Sequence, residues 1–229
     1  MPSDERTRRT RRRAVIFDFD GVLADTEALH CAAFQEAVAD YGITLPRAQY
    51  FARYLGLPDR DCLVALCADA GRPATPAELD VLFHRKRAAF ARLAQRADLY
   101  AGVADTLRRL HTDCALAVAS GAFRDEIEPI LARGGVRPLF DAVVGAEDVR
   151  AGKPAPDPFL EALHRLVAID PRLTVAACVV VEDSPRGITA AHAAGMRCIA
   201  VTTNHPRRAL ADADVVIAHA RDLRVEDLP

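Results

Sequence analysis

What the chain lacks is net charge: 30 Lys and Arg stand against 32 Asp and Glu, for a formal charge of −2 over 229 residues. That balance leaves no global field to draw it to nucleic acid or to an anionic membrane. It also lacks any run approaching the about 18 apolar residues that a transmembrane helix needs. No apolar h-region of the about 7–15 residues a secretory signal needs follows the basic start, so the start does not read as one. The six cysteines, Cys31, Cys62, Cys67, Cys114, Cys178 and Cys198, include no C-x-x-C and no histidine partner at zinc spacing. They read as reduced structural thiols, three of them in or beside apolar runs, and point to a reducing compartment, the cytoplasm. No G-x-G-x-x-G follows the first apolar run, which argues against a nicotinamide or flavin enzyme. Internal repeats and low-complexity core segments are missing too.

One local exception to the charge balance is the start, where Arg6, Arg8, Arg9, Arg11, Arg12 and Arg13 crowd together. Residues 1–12 read as a disordered, solvated tail before the first strand; a polyanion-binding arm or a targeting segment is the other reading. Beyond that, a hydrophobic fraction of 51% with 27% charged residues is ordinary for a cytosolic globular protein. The length suffices for one large domain or a core with an insertion.

Apolar, often β-branched runs recur at Ala14–Phe17, Ala115–Ala119, Ala142–Val144, Ala176–Val181, Cys198–Val201 and Val215–Ile217. Helical patterns lie between the later ones, at Asp125–Arg133, Pro156–Val167 and Pro185–Ala194. Alternating strands and helices predict βαβ units, a parallel sheet and right-handed crossovers that cover both faces. Between Thr26 and Asp98 the rhythm breaks. Only helical periodicity appears there, at Ala28–Tyr41, Asp59–Ala70 and Pro76–Ala94, punctuated by Pro46, Pro58, Pro73 and Pro76. So much helix is too long for a single crossover and predicts a separate helical insertion. Asp25 and Thr26 are candidate caps of its first helix, and Gly42 its candidate stop.

The first strand run ends in Phe17-Asp18-Phe19-Asp20-Gly21. A buried strand here delivers Asp18 and Asp20 to its carboxyl end, where open parallel sheets place their crevice. Should extension continue through Asp20, the two side chains point the same way. Crowded carboxylates suit a divalent cation. Three further sites sit at expected strand ends. Ser120-Gly121 offers a hydroxyl and an unobstructed N–H to a phosphate oxygen, although Ser-Gly is also a common turn. Lys153, braced by Pro154, is a compact positive charge, although lysines in Pro-rich surface loops are also ordinary. Glu182-Asp183-Ser184-Pro185 pairs acids with a helix start, where Asp183 or Ser184 could also be a mere cap.

The four strings D-x-D-G-V-x-x-D-T, S-G, G-K-P-x-P-D-P-F and V-E-D-S-x-x-G occur in that order. Together they resemble motifs I to IV of the haloacid dehalogenase-like superfamily. The match is to the branch that includes phosphoglycolate phosphatase-like and β-phosphoglucomutase-like enzymes, and it runs from about Ala14 to Asp214. The resemblance implies an α/β fold: a Rossmann-like, three-layer core over residues 13–26 and 98–229, with a helical cap over 27–97. It implies Asp18 as the nucleophile that takes up a phosphoryl group, Asp20 as general acid/base, and Ser120 and Lys153 as catalytic partners, with Gly121 beside the substrate. It implies Mg2+ on Asp18, Asp183 and the backbone of Asp20, with Glu182 a ligand, a ligand through water, or an orienting residue. Gly121 departs from the Asn or Ser of many relatives, and Ser120-Gly121-Ala122 lacks the longer polar string of the mutases. Because Asp20 is present, a C–Cl substrate is set aside.

In the cap, Thr26 and His30 lie one helical turn apart, at positions where mutases and many phosphatases of the branch have them. Arg60, in Gly56-Leu57-Pro58-Asp59-Arg60, is a candidate for a substrate anion. Lys86 or its neighbours Arg85 and Arg87 either reach inward or cover a solvated helix face. The expected partner is a small phosphorylated metabolite, with no nucleic acid and no membrane; oligomeric state is not legible. The expected activity is Mg2+-dependent hydrolysis of a small phosphomonoester, sugar phosphate or phosphoglycolate-like. The alternatives are a sugar phosphomutase and a catalytically weak binding or regulatory protein.

Overall fold

A computed structural model describes residues 13–224 and 226. The proposed Arg-rich tail, residues 1–12, lies outside them. Six parallel strands form one sheet: β1 Arg13–Phe17, β2 Cys114–Ala119, β3 Ala142–Val144, β4 Cys178–Glu182, β5 Arg197–Val201 and β6 Val215–Ile217. Their order is β3-β2-β1-β4-β5-β6. The chain therefore builds outward from β1 through β2 and β3, then returns to β1's other side and builds outward again. The reversal falls between β1 and β4, which pair in parallel with Phe17 opposite Val181. Such a switch point opens a crevice at the carboxyl ends of its strands.

Every residue of β2 and β4 is buried, which is why these strands read as continuous apolar runs rather than alternating ones. On one face Ile16, Ala117 and Val180 cluster with Phe159, Ala162 and Leu166 of helix α7 (Asp157–Ile169) and with Ile188 and Ala191 of α8 (Pro185–Ala193). The small Ala115, Ala117 and Ala119 of β2 lie in the same cluster as the bulky ring of Phe159. Helix α5 (Val103–His111) also packs against β2, with Leu107 and Leu110 buried. Helix α6 (Arg124–Arg133) carries the chain from β2 to β3.

The chain divides into two compact units, one up to Asp25 and from Asp98 onward, the other Thr26–Ala97. The second unit is helical: α1 Glu27–Ala39, α2 Arg47–Arg53, α3 Asp59–Asp69 and α4 Pro76–Leu93. Thr26 falls in this unit, one residue from the boundary read in the sequence. It occupies the N-cap of α1, but its side chain makes no capping bond. Gly42, at φ +74°, follows the helix in the left-handed region, and Ile43 N–H donates back to the Val38 carbonyl.

Local assignments differ from the sequence reading in three places. β4 starts at Cys178 rather than Ala176, because Val175–Ala177 closes a 3-10 turn through Ala177 N–H and the Thr174 carbonyl. Helix α2 was not anticipated; Tyr50 is its only buried side chain, so its sequence carries no apolar stripe. Helix α5 was also passed over, although Val103, Leu107 and Leu110 at i, i+4 and i+7 bury one face. No helix among the described residues is long and apolar enough to cross a membrane. All six cysteines are free and buried.

Candidate active site

Strand β1 is buried along its last four residues and ends at Phe17. Asp18 continues the ladder by one bond, its N–H donating to the Val181 carbonyl at 2.9 Å. The chain then turns. Leu23 and Ala24 N–H both donate to the Phe19 carbonyl, and Gly21 N–H donates to Ala24. Regular extension therefore does not reach Asp20, and the alternation argument for its direction does not apply. A tight turn brings its carboxylate in instead: Oδ2 stands 3.5 Å from Ser120 Oγ, and its charge is felt at Asp18.

Gly21 is required by that turn. It sits at φ +76°, and a Cβ there would stand 2.2 Å from Asp183 Oδ2 and 2.3 Å from Asn204 Nδ2. Only a glycine lets the turn after β1 lie against the acids after β4.

Strand β4 brings the second group of acids. Asp18, Glu182 and Asp183 are all buried, and each offers an oxygen within 4.8 Å of the others. Lys153 supplies the opposing charge. Its Nζ donates to Glu182 Oε1 at 2.6 Å and forms an ion pair with Asp18 Oδ1 at 2.8 Å. It also lies 4.9 Å from the centre of the Phe159 ring. The loop that carries it, with a cis Lys153–Pro154 peptide, is tied down by Arg186, which donates to the Lys153 carbonyl at 2.5 Å.

The remaining capacity of Glu182 is spent locally. Its Oε2 accepts from Asp183 N–H, Ser184 N–H and Ser184 Oγ, all within 2.9 Å. A Cβ on Gly187 would stand 1.8 Å from this carboxyl group, so the glycine of the V-E-D-S-x-x-G string makes room for it. Ser184 is the helix cap here, its Oγ accepting from Gly187 N–H at 3.0 Å with Pro185 at the first turn. The capping role open to Asp183 thus belongs to Ser184.

Electrostatics follow from three acids around one ammonium. Burial alone would discharge Lys153, but Asp18 and Glu182 hold it charged, with its pKa above the ordinary lysine range. For Asp18, burial outweighs the attraction of Lys153, and the charges of Glu182 and Asp20 add to it, raising its pKa to about 7. Its Oδ1 is buried, with the Lys153 ammonium 2.8 Å away. A purely oxygen donor set in which three buried acids face one ammonium fits a hard divalent cation.

Ser120 is buried directly after β2, with its N–H on the Val144 carbonyl and its Oγ accepting from Ala122 N–H at 3.1 Å. Gly121 is exposed, and no atom lies within 4 Å of where its Cβ would be. Space alone does not require a glycine there.

The helical unit contains a second buried polar cluster. Lys86 has no exposed surface; its Nζ lies 2.6 Å from Asp59 Oδ2 and 2.9 Å from His30 Nδ1. It sits over the Phe34 and Phe90 rings, and the His30 ring stacks on Phe90 at 4.1 Å. Beside it the Tyr50 hydroxyl donates to Glu27 at 2.5 Å. Lys86 thus lies in the interior of the helical unit and does not cover a solvated helix face. Arg85, by contrast, pairs with Asp40 at the surface. Arg60 also lies outside, paired with Asp80 at 2.8 Å and over the Phe83 ring. Thr26 is buried at the head of α1, where its carbonyl accepts from Leu29 and His30 N–H.

Sequence reasoning missed three side chains. Asp59 was quoted without a role, although it holds Lys86. Thr203 and Asn204 were passed over altogether. The available signal was position: Thr202-Thr203-Asn204 follows β5, a strand end like those that supply the other site residues.

Residues 15–201 match the family model described as haloacid dehalogenase-like hydrolase, and the chain belongs to that family. Within it, the fructose-1-phosphate phosphatase YqaB of Escherichia coli (strain K12) is 34% identical over 200 residues, spanning 83% of this chain and 97% of that protein. The β-phosphoglucomutase of Bacillus subtilis (strain 168) is 29% identical over 219 residues, spanning 93% of this chain and 92% of that protein. Among solved structures, a β-phosphoglucomutase from Clostridium difficile aligns with a TM-score of 0.82 at 21% identity, covering 94% of both chains, which speaks for the fold. The protein is a phosphatase-type hydrolase with an α/β core.

Proposed function

We propose that this protein hydrolyses a small phosphomonoester, a sugar or polyol phosphate, with Mg2+ and through an aspartyl-phosphate intermediate. The observation that carries the reading is Asp18 at the sheet's switch point, buried, ion-paired to Lys153 and grouped with Glu182 and Asp183. Similarity to a fructose-1-phosphate phosphatase supports the substrate class.

In this mechanism Asp18 attacks phosphorus in line, its carboxylate oxygen forming the new O–P bond as the bond to the leaving alcohol oxygen breaks. Lys153 neutralises the carboxylates beside it, so that one anion can approach another. Ser120 Oγ–H and the Gly121 N–H hold phosphoryl oxygens. Asp20 gives its proton to the leaving oxygen, then takes one from the water that cleaves the acyl phosphate and frees Asp18. Asp18, Asp183 and the Asp20 carbonyl are the residues that would hold Mg2+, which when bound adds positive charge at the phosphoryl group. Glu182 acts as the orienting residue, because both of its oxygens are engaged by Lys153 and by the Asp183–Ser184 segment.

Hydrolysis rather than phosphomutase action is supported by Ser120-Gly121-Ala122, which lacks the longer polar string of the mutases, and by 34% identity to a fructose-1-phosphate phosphatase against 29% to a β-phosphoglucomutase. The test is phosphate release from a panel including fructose 1-phosphate, hexitol phosphates and phosphoglycolate, with and without Mg2+. In parallel, interconversion of β-glucose 1- and 6-phosphate is followed. Mg2+-dependent release that Asp18→Asn abolishes is expected. Release surviving Asp18→Asn, or interconversion outpacing release, overturns the proposal.

A further inference from the structure

The carboxylate ends of β1 and β4 are held together by a third loop, the one after β5, and neither the motifs nor the proposed chemistry assigns it a role. Asn204 Nδ2 donates to Asp183 Oδ2 at 2.8 Å. Its neighbour Thr203 donates through Oγ1 to the Gly21 carbonyl. Gly21 lies so close to both partners that its missing Cβ is the only reason they fit, 2.2 Å from Asp183 Oδ2 and 2.3 Å from Asn204 Nδ2. Three strand ends therefore interlock around one glycine. The loop grips one oxygen of Asp183 and the Gly21 carbonyl, one peptide beyond the Asp20 carbonyl.

We infer that Thr203 and Asn204 are positioning residues for the metal site, fixing the rotation of the Asp183 carboxylate and the turn that aims the Asp20 carbonyl. The inference rests on the Mg2+ site proposed above. A carboxylate is free to spin about its χ2 torsion, and each orientation presents different lone pairs. One short hydrogen bond to Oδ2 selects a single orientation before any cation arrives. Likewise, the Asp20–Gly21 peptide is held on one side by Gly21 N–H on the Ala24 carbonyl, and the Thr203 tether holds the peptide that follows it, so the short turn keeps the Asp20 carbonyl in one direction. Partners that orient metal ligands in this way typically contribute about 10- to 100-fold to metal affinity. Asn204 and Thr203 are each only partly buried, so their side chains contribute little to the core.

Calorimetric titration of the full chain with Mg2+ tests this, alongside thermal melting of the cation-free protein. Asn204→Ala and Thr203→Val are expected to weaken Mg2+ binding by about 10- to 100-fold, with melting near that of the parent. Thr203→Ser, which keeps the hydroxyl, is expected to retain parental affinity, and phosphate release by Asn204→Ala is expected to recover at saturating Mg2+. Should Asn204→Ala fail to fold, Asn204→Ser replaces it. Parental Mg2+ affinity in both donor-deleting variants overturns the inference while leaving the metal site intact. So does a loss of turnover that saturating Mg2+ does not restore. A parent chain that binds no Mg2+ overturns the metal site and this inference together.

Discussion

Each of the two units buries one lysine, and the two are used in opposite ways. Lys153 in the α/β core faces Asp18 and Glu182, with Asp183 beside them, so acids outnumber the ammonium. Lys86 in the helical unit faces Asp59 and a histidine ring, and is roofed by Phe34 and Phe90. The first cluster carries surplus negative charge in a buried place, which is unstable unless a proton or a cation joins it. The second is closed by its own partners: Asp59 on Lys86, the Tyr50 hydroxyl on Glu27, and two aromatic rings over the ammonium. A site meant to receive a charged ligand shows as an imbalance, whereas a cluster that holds helices together shows as closure.

The sharpest way to break this comparison is to remove each lysine. Lys86→Met leaves the partly buried Asp59 uncompensated, and a loss of about 3 kcal/mol, the low end for a broken buried pair, is expected in denaturant unfolding. The double variant Lys86→Met/Asp59→Leu should recover most of that loss, since an apolar pair can replace a buried ion pair. Lys153→Met should instead act on turnover, lowering phosphate release by about 10²–10³-fold. If the double variant is no better than Lys86→Met, closure is the wrong description of the helical cluster.

A smaller effect sharpens the core's imbalance. The Asp18 pKa is raised from 3.8 in an exposed carboxyl to about 7 in the fold. A group whose folded pKa is raised favours folding fully below its unfolded pKa, and that contribution is lost as pH rises through the folded value. Without divalent cation, the Asp18 contribution should therefore decline between about pH 4 and pH 7. Asp18→Asn should flatten this part of the melting profile and raise the melting temperature at pH 8. Each kcal/mol regained corresponds to about 2–4 °C for a chain of this size. Identical pH slopes in parent and variant would place the surplus charge elsewhere.

The smallest expected effect is at Arg60. Its ion pair with Asp80 is more than half exposed on both sides, so Arg60→Ala should change stability by no more than about 1 kcal/mol. A several-fold rise in KM with little change in stability would instead return Arg60 to the role of anion contact that its loop suggested.

Much of the core could be read directly. The runs at Ala14–Phe17 and Ala142–Val144 mark strands that form within a residue of those limits, because strands buried on both faces have no polar alternation to blur them. Asp18 and Asp183 stood out for a related reason: charge at the end of an apolar run is costly unless it has a task. Lys153 stood out only through its G-K-P-x-P-D-P-F string. Asp20 was harder, since its direction depends on a turn and not on strand alternation. Asn204 was invisible, because an Asn in a polar loop looks the same whether it faces solvent or holds an acid 21 residues away. Asp59 hid similarly, its partner Lys86 lying 27 residues on in a different helix.

By itself, then, the sequence determined the alternation of strands and helices, the helical insertion, the order of the motifs, and the identity of the groups that can do phosphoryl chemistry. These are local properties, written in burial patterns and in residue types at strand ends. Only the tertiary structure decided that β1 sits between β2 and β4, that Glu182 is consumed by Lys153 and its own loop, and that Thr203 and Asn204 close on Gly21. Those outcomes depend on which chain segments meet. Hydrogen bonds and ion pairs act over about 3 Å, and no spacing along the sequence encodes that distance.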